Sequence, residues 1–183
     1  MHSHRTGPTT PRLTHRAITA EDAASFFALN SHPDVLRFTG EPPLESLEQA
    51  REALANYPDF DTHGFGRWGC FLRADDPDTR AKAGDMIGFC GLKHLDELGE
   101  VDVGYRFLPE HWGKGYATEA GRASIAFGFE TLRLERIIAL VLPENLGSIR
   151  VIEKLGMREA GRCDCEGLDA LRYEITREMR PEP

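Results

Sequence analysis

The chain has 183 residues, of which 40% are hydrophobic and 28% are charged, and this balance is typical of a single globular domain rather than a disordered chain. The formal net charge of −8 argues against a nucleic-acid-binding protein that works through a basic face. We find no apolar run long enough to span a membrane and no signal peptide at the N-terminus. The four cysteines are scattered, which fits a reducing, cytoplasmic setting better than a disulfide scaffold.

Hydrophobic periodicity and turn residues predict a chain of mixed helices and strands. In chain order these are a strand over 13–18, helices starting near Thr19 and Ser46, strands over 65–72, 85–92 and 100–108, a helix over 115–132, a strand over 137–142, a helix over 145–156, and strands over 157–163 and 168–176. Residues 1–11 and 180–183 are expected to be flexible tails, and residues 12–180 are expected to form one domain. This order predicts an α/β sheet covered by helices.

The predicted strand over 100–108 alternates clearly between apolar and polar residues. Val101, Val103, Tyr105 and Phe107 share one face, and Glu100, Asp102 and Arg106 share the other. One side of this strand should therefore face the core.

A glycine-rich segment follows that strand and leads directly into a helix. Gly113 and Gly115 permit unusual dihedral angles and close backbone approach. The first amides of a helix lack partners and carry its positive dipole end, so such a turn can bind a diphosphate, and Lys114 could add charge there. A simple connecting turn is the alternative, because short glycine motifs are weak signals. The segment matches neither a Walker A loop, a dinucleotide-binding fingerprint nor a nucleophile elbow.

Several further motifs occur in a specific order. They are Asp102-Val103-Gly104-Tyr105, Pro109, Trp112 to Ala120, and Asn145-x-x-Ser148-Ile149-Arg150 running on to Gly156. Together they closely resemble the GNAT family of N-acetyltransferases, and within it the branch that acetylates ribosomal-protein N-termini. The resemblance is strongest over residues 100–157 and extends more weakly over nearly the whole chain.

The resemblance implies a curved, mostly antiparallel mixed sheet that is split into a V between its central strands and flanked by helices. It implies acetyl-CoA as co-substrate, bound in that split. The residues that it assigns to acetyl-CoA are Phe107 and Leu108 on the strand edge, Trp112, Gly113, Lys114, Gly115, Tyr116, Ala117 and Thr118 in the glycine loop, and Asn145.

Many family members carry a tyrosine that protonates the leaving thiolate, but Ile152 stands at that position here. Ser148 lies one helical turn after Asn145 and is our candidate for the proton donor, with an ordinary helix serine as the alternative. Asp102, or Glu100 on the same strand face, is a candidate base for the amine or a holder of its ammonium form. Asp169 is a rival for that role.

The acceptor remains open between a protein N-terminus, an amino acid and another small amine, and the negative net charge weakly favours a cationic one. Acceptor specificity is expected to depend on the first helices and on residues 38–64 and 163–169. We predict no metal site, since neither the cysteines nor the histidines show a ligand spacing, and no nucleic-acid or membrane partner; a homodimer is an open prospect. The alternatives are a degenerate acetyl-CoA sensor and a transferase that uses another acyl-CoA.

Overall fold

The computed structural model describes residues 3–165 and 167–179. Its strands are β1 (Thr6–Thr9), β2 (Leu13–Arg16), β3 (Arg67–Leu72), β4 (Met86–Leu95), β5 (Glu100–Phe107), β6 (Arg136–Val141), β7 (Arg158–Cys165) and β8 (Leu168–Thr176). Its α-helices are α1 (Ala23–Ser31), α2 (Pro33–Leu36), α3 (Leu47–Ala55), α4 (Asp59–Thr62), α5 (Tyr116–Glu130) and α6 (Leu146–Lys154). None of the described helices is long and apolar enough to cross a membrane.

All eight strands join one sheet in the order β1-β2-β3-β4-β5-β6-β8-β7. Neighbouring strands are antiparallel except β5 and β6, which are parallel and joined through α5. This confirms the predicted mixed, mostly antiparallel sheet flanked by helices. Two neighbouring parallel strands cannot be joined by a tight turn, because the chain must first return to the end of the sheet at which the first strand began. A longer crossover is needed, and α5 lies within it here.

The prediction of a flexible tail over residues 1–11 is wrong for residues 3–11. β1 pairs with β2, and the Trp68 indole donates a hydrogen bond to the His4 carbonyl at 2.8 Å. A Cβ on Gly7 would lie 2.7 Å from the Trp68 ring, so this glycine lets the strand pass close over the indole. Gly7 and Pro8 made the segment look like a loop, but an edge strand tolerates proline. The predicted tail at 180–183 lies outside the described residues.

Two helix starts follow their predicted side-chain signals. Ser46 accepts a hydrogen bond from the Gln49 amide at the start of α3, and Thr19 forms a capping box with Asp22 before α1. α5 differs, because its N-cap is Gly115 and no side chain caps it. Its first amides are thus left for another partner.

The sheet has two unlike faces. Face A carries Arg67, Lys93, Asp102 and Arg106, and face B carries the apolar side chains that pack against α5 and α6. Buried residues of the face B core include Leu92, Val103, Ile125, Phe129, Ile137 and Ile152. The strand alternation predicted for β5 is confirmed, with Val101, Val103 and Phe107 buried on face B.

β5 and β6 separate near the middle of the sheet. Among the described residues, one register pair joins them, Asp102 with Ile138. β5 pairs with β4 along its full length, and β6 does the same with β8. The second half of β5 therefore has a free edge facing a gap, in agreement with the predicted split.

Candidate active site

At the vertex of the gap, where the backbone pairing between β5 and β6 stops, side-chain hydrogen bonds connect the strands. The Asp102 carboxylate accepts a hydrogen bond from the Leu140 amide at 3.4 Å and one from the Arg67 guanidinium at 2.7 Å. A Cβ on Gly104 would lie 2.3 Å from the Arg67 Nη2 atom. Gly104 thus leaves the space that Arg67 fills, which gives a physical reason for the Asp-x-Gly motif.

Burial raises the pKa of Asp102, although the charge of Arg67 opposes this shift. Asp102 as a residue is 6% exposed, and both of its carboxylate oxygens are engaged. The predicted candidate base is therefore part of a buried ion pair on face A.

Glu100 lies on the paired side of the vertex, away from the gap. Its carboxylate contacts the guanidinium groups of Arg136 and Arg172 at 2.5 and 2.9 Å. Burial alone would raise its pKa, but the two hydrogen-bonded arginines outweigh burial and lower it. Asp169, the rival carboxylate, is 68% exposed and pairs with Arg162 in the β7–β8 hairpin. Neither carboxylate faces the free edge of β5.

The glycine loop presents a row of unpaired amides. The Trp112 amide donates to the Pro109 carbonyl and the Glu119 amide to the Gly115 carbonyl, and among the described residues the amides of 113–118 have no backbone partner. Gly113 and Gly115 have φ of +74° and +81°, values that L-residues with side chains rarely adopt. The backbone conformation needed for the row therefore depends on these glycines. Tyr116, Ala117 and Thr118, which supply the last three amides of the row, form the first turn of α5.

Lys114 points away from this row, into a support beneath the loop. Its ammonium contacts Asp76 at 3.1 Å and Asp78 at 3.6 Å. The Tyr116 hydroxyl also donates to Asp76, at 3.3 Å. Burial disfavours the charged ring of His111, on the same network, and lowers its pKa, although the nearby carboxylates of Glu110 and Asp76 oppose this shift. The predicted phosphate lysine is therefore an anchor of the loop.

Sequence reasoning gave no role to Arg12, which lies against the same loop. Its guanidinium donates to the Lys114 carbonyl at 2.9 Å, pairs with Glu119 at 2.6 Å and stacks 4.3 Å from the Tyr116 ring centroid. Arg12 therefore supplies positive charge beside Gly115. The contact joins the residue before β2 to α5 across more than one hundred residues of sequence, and no local pattern could have revealed it.

Trp112 borders the gap from the end of β5. Its indole donates to the Phe107 carbonyl at 2.7 Å, and 50% of the side chain is exposed. The Leu108 amide donates to Ile87 of β4. Because main-chain groups alternate in direction along a strand, the amides of Phe107 and Tyr105 face the gap.

Ser148 reaches the gap from α6 and contacts a second hydroxyl. Its Oγ lies 2.8 Å from the Tyr105 hydroxyl, which also donates to the Ser148 carbonyl at 3.1 Å. Burial raises the pKa of Tyr105 well above its usual range, so the phenol is neutral. The Asn145 side chain accepts from the Ser148 amide at 3.1 Å and caps α6. Ile152 is a core residue that is 2% exposed, and its hydrocarbon side chain has no proton to donate.

The remaining candidates lie away from the gap. Cys70 and Cys90 are buried in the core, as predicted, and Cys163 is also a free thiol; the side chain of Cys165 lies outside the description. Among the described residues, one group of potential metal ligands exists, His63, His94 and Asp96. It lies at the far end of β4, where the His94 Nδ1 already contacts Asp96 at 2.8 Å, and it contributes nothing to the gap.

A cavity of about 200 Å³ lies on face A, between the sheet and helices α1 and α3. Its sheet side is formed by Arg67, Phe89, Lys93 and Arg106. Glu41 and Tyr57, both within the predicted specificity region 38–64, contribute to the opposite wall. The guanidinium of Arg67, on β3, lies over Gly104 of β5, and Arg106 follows two residues later on β5. The cavity therefore adjoins the vertex of the gap.

Comparison with known proteins gives a consistent family. Residues 12–158 match the acetyltransferase (GNAT) domain family. The uncharacterised N-acetyltransferase YnaD of Bacillus subtilis is 47% identical over 153 residues, covering 84% of this chain and 83% of that protein. The spermidine N(1)-acetyltransferase of Escherichia coli is 26% identical, covering 80% and 73%. An acetyltransferase structure from Bacillus anthracis superposes with a TM-score of 0.76 at 27% identity, covering 93% and 98%.

Proposed function

Because the chain belongs to the GNAT family of acetyltransferases, we propose that it transfers an acetyl group from acetyl-CoA directly to a primary amine. One observation carries the proposal: the free edge of β5 runs from a pair of hydroxyl groups to a row of six unpaired amides at residues 113–118. A thioester with a diphosphate tail needs both features. The amine could be that of a small molecule, like the spermidine of the relative above, or that of a protein N-terminus.

The chain's own groups fit acetyl-CoA in two places. The amides of 113–118, with the uncapped N-terminus of α5, can donate hydrogen bonds to the diphosphate, and Arg12 adds positive charge beside them. The free edge of β5 at Tyr105 and Phe107 can pair with the amide groups of the pantetheine arm. Trp112 and Asn145 border this path at either side of the gap.

In the reaction, a C–N bond forms to the acceptor and the C–S bond of the thioester breaks. The thioester oxygen becomes an oxyanion, which an amide on the gap side of β5 can stabilise. The sulfur leaves as a thiolate, and Ser148 donates a proton to it. The Tyr105 hydroxyl, 2.8 Å from Ser148 Oγ, supplies the replacement proton, and Tyr105 regains one from solvent.

Asp102 acts in this proposal as a positioning residue. Its oxygens hold Arg67 and the Leu140 amide and so fix the vertex from which the two strands diverge. Neither Asp102 nor Glu100 has a free carboxylate oxygen for the acceptor, so the amine reacts as its neutral form and releases its proton to water. Turnover should accordingly rise with pH as the acceptor amine loses its proton.

The setting that we propose is the cytoplasm. The described cysteines Cys70, Cys90 and Cys163 are free thiols, which is consistent with a reducing compartment. A homodimer remains a prediction.

Calorimetric titration with acetyl-CoA, with ATP and NAD as controls, tests the first half of the proposal. Selective binding near one site per chain is expected. Release of free thiol together with an acetylated amine, detected by mass spectrometry across a panel of amines, tests the second half. Binding without transfer to any amine would favour the sensor alternative, and transfer from longer acyl-CoA donors in preference to acetyl-CoA would change the donor. The absence of binding by folded protein would refute the proposal.

A further inference from the structure

A ligand of amino-acid size fits the face A cavity. Its volume of about 200 Å³ corresponds to the space of about seven water molecules at roughly 30 Å³ each. Phe89 and Tyr57 give it apolar surface. A long polyamine or an aminoglycoside would extend well beyond such a space.

The charges around this cavity favour an anion. Four cationic side chains line it, Arg5, Arg67, Lys93 and Arg106, and Glu41 is the one carboxylate among the described lining residues. Three of the cations have acidic partners: Arg5 pairs with Asp61, Arg67 with Asp102, and Arg106 with Glu41. The fourth cation, Lys93, lies outside these pairs. A further carboxylate near the cavity, that of Asp59, acts on Tyr57 at the opposite wall.

Lys93 is the cation outside these ion pairs. Its ammonium makes no ion pair or hydrogen bond to any other residue within 3–165 and 167–179. Lys93 is half-buried, and it stands opposite Asp102 in the β4–β5 register, so it lies on face A beside the vertex of the gap. The carboxylates of Glu41 and Asp102 lie within electrostatic range of Lys93, but each of them is already paired with an arginine. A partly buried cation outside an ion pair gains from an anionic ligand more than an exposed one does.

On the basis of the proposed function, we infer that the acceptor is a small primary amine that also carries an anionic group, a carboxylate or a phosphate, bound by Lys93. The apolar part of the acceptor contacts Phe89 and Tyr57, and its amine points along Arg67 toward the gap. This selects against polycations such as spermidine. It also opposes the expectation from net charge, because Lys93, the cation outside the ion pairs at this cavity, differs in sign from the net charge of the whole chain.

Paired acceptors that differ in the anionic group test the inference. Leucine is compared with isopentylamine, and phosphoethanolamine with ethanolamine, each rate being expressed per concentration of neutral amine. The two pairs separate a carboxylate from a phosphate. At least one anionic member should have a kcat/KM about tenfold or more above that of its uncharged partner and above that of spermidine, the gain expected from a hydrogen bond to a charged group.

Variants of Lys93 connect that preference to this side chain. Lys93→Met should raise the KM of the anionic acceptor by about tenfold while the Kd of acetyl-CoA stays unchanged, and Lys93→Glu should invert the preference toward spermidine. Lys82→Met is the matched control, since Lys82 is 69% exposed and pairs with Asp75; its acceptor KM should not move. Calorimetry of each amine with the CoA-saturated enzyme gives a readout that does not depend on turnover.

The outcomes separate this inference from the proposed function. Acetylation of spermidine or uncharged amines in preference to both anionic amines, or an unchanged acceptor KM in Lys93→Met, would overturn the inference and leave the acetyltransferase in place. Failure of both anionic amines to bind the CoA-saturated enzyme would also overturn it. Failure to bind acetyl-CoA at all would overturn the proposed function first.

Discussion

Removal of the Asp102 carboxylate should destabilise the protein, because it leaves the Arg67 guanidinium without its partner at 2.7 Å. The two side chains are 9% and 24% exposed, so water can replace little of the lost contact. Breaking a buried ion pair costs about 3–5 kcal/mol, and the partial exposure of Arg67 favours the lower limit of about 3 kcal/mol. In a chain of this length, 1 kcal/mol shifts Tm by about 2–4 °C. We therefore expect Asp102→Ala to lower Tm by about 6–12 °C.

Thermal unfolding followed by circular dichroism measures this loss, and a double-mutant cycle assigns it to the pair. Arg67→Met in the Asp102→Ala background removes the unpaired charge, so the double variant should be less destabilised than the sum of the single variants. Asp169→Ala is the control, because Asp169 and its partner Arg162 are both mostly exposed, and such a pair contributes about 0–1 kcal/mol. A parental Tm for Asp102→Ala, or strict additivity in the cycle, would refute the buried-pair argument.

The same position also distinguishes positioning from base catalysis. Asp102→Asn keeps an oxygen for the Leu140 amide, so the rate per folded molecule should stay within about tenfold of the parent. A fall of about 10²–10⁴-fold at an unchanged Tm, the loss that removal of a general base produces, would identify Asp102 as the base instead.

Three other outcomes are expected at the gap and its support. Gly115→Glu should abolish acetyl-CoA binding in calorimetry, because it places a carboxylate at the amide row, whereas Gly99→Glu, at a comparable φ of +62° in open space, should bind normally. Ser148→Ala should lower kcat about 100-fold, because it removes the proton donor itself, and Tyr105→Phe about tenfold, because it removes only the group that reprotonates that donor, both with little change in the Kd of acetyl-CoA; parental kcat values would remove the hydroxyl pair from the reaction. Burial tends to raise the pKa of Glu119, but hydrogen bonds from Thr10 and Arg12 lower this pKa overall. The stability that the Glu119 carboxylate contributes is therefore complete above its unfolded pKa of about 4.3. This contribution is lost as the pH falls through the lower pKa of the folded state. Glu119→Gln should therefore show a shallower loss of stability in acid, and identical pH profiles would contradict this.

Local signals in the sequence were sufficient for the elements that depend on them. Ser46 with Gln49 predicted the start of α3, and the alternation over 100–108 predicted the buried face of β5. β1 depends instead on long-range contacts with β2 and with Trp68. Gly7 and Pro8, which make up half of β1, disfavour a strand, so the segment has no pattern that predicts one.

The candidate site divides in the same way. The glycine loop and Ser148 follow from contiguous motifs, and both lie beside the gap in the folded chain. The ion pair of Asp102 joins residues 35 positions apart, and the carboxylate of Glu100 is engaged by arginines 36 and 72 positions away. Whether a carboxylate is free or paired is a property of the folded sheet, so the sequence could propose both acids without revealing that each has an arginine partner.

The chain's two tryptophans give it a built-in optical probe. Trp68, on β3, is fully buried with its ring against Gly7 of β1, whereas Trp112 is 50% exposed at the rim of the gap. The emission of Trp112 should thus respond to occupancy of the gap and should be quenched by acrylamide in the free protein. Trp68 should emit at shorter wavelength and stay shielded until the first hairpin detaches. A Trp112→Phe variant would separate the two signals, so that ligand binding and unfolding could be followed in one cuvette without an added dye.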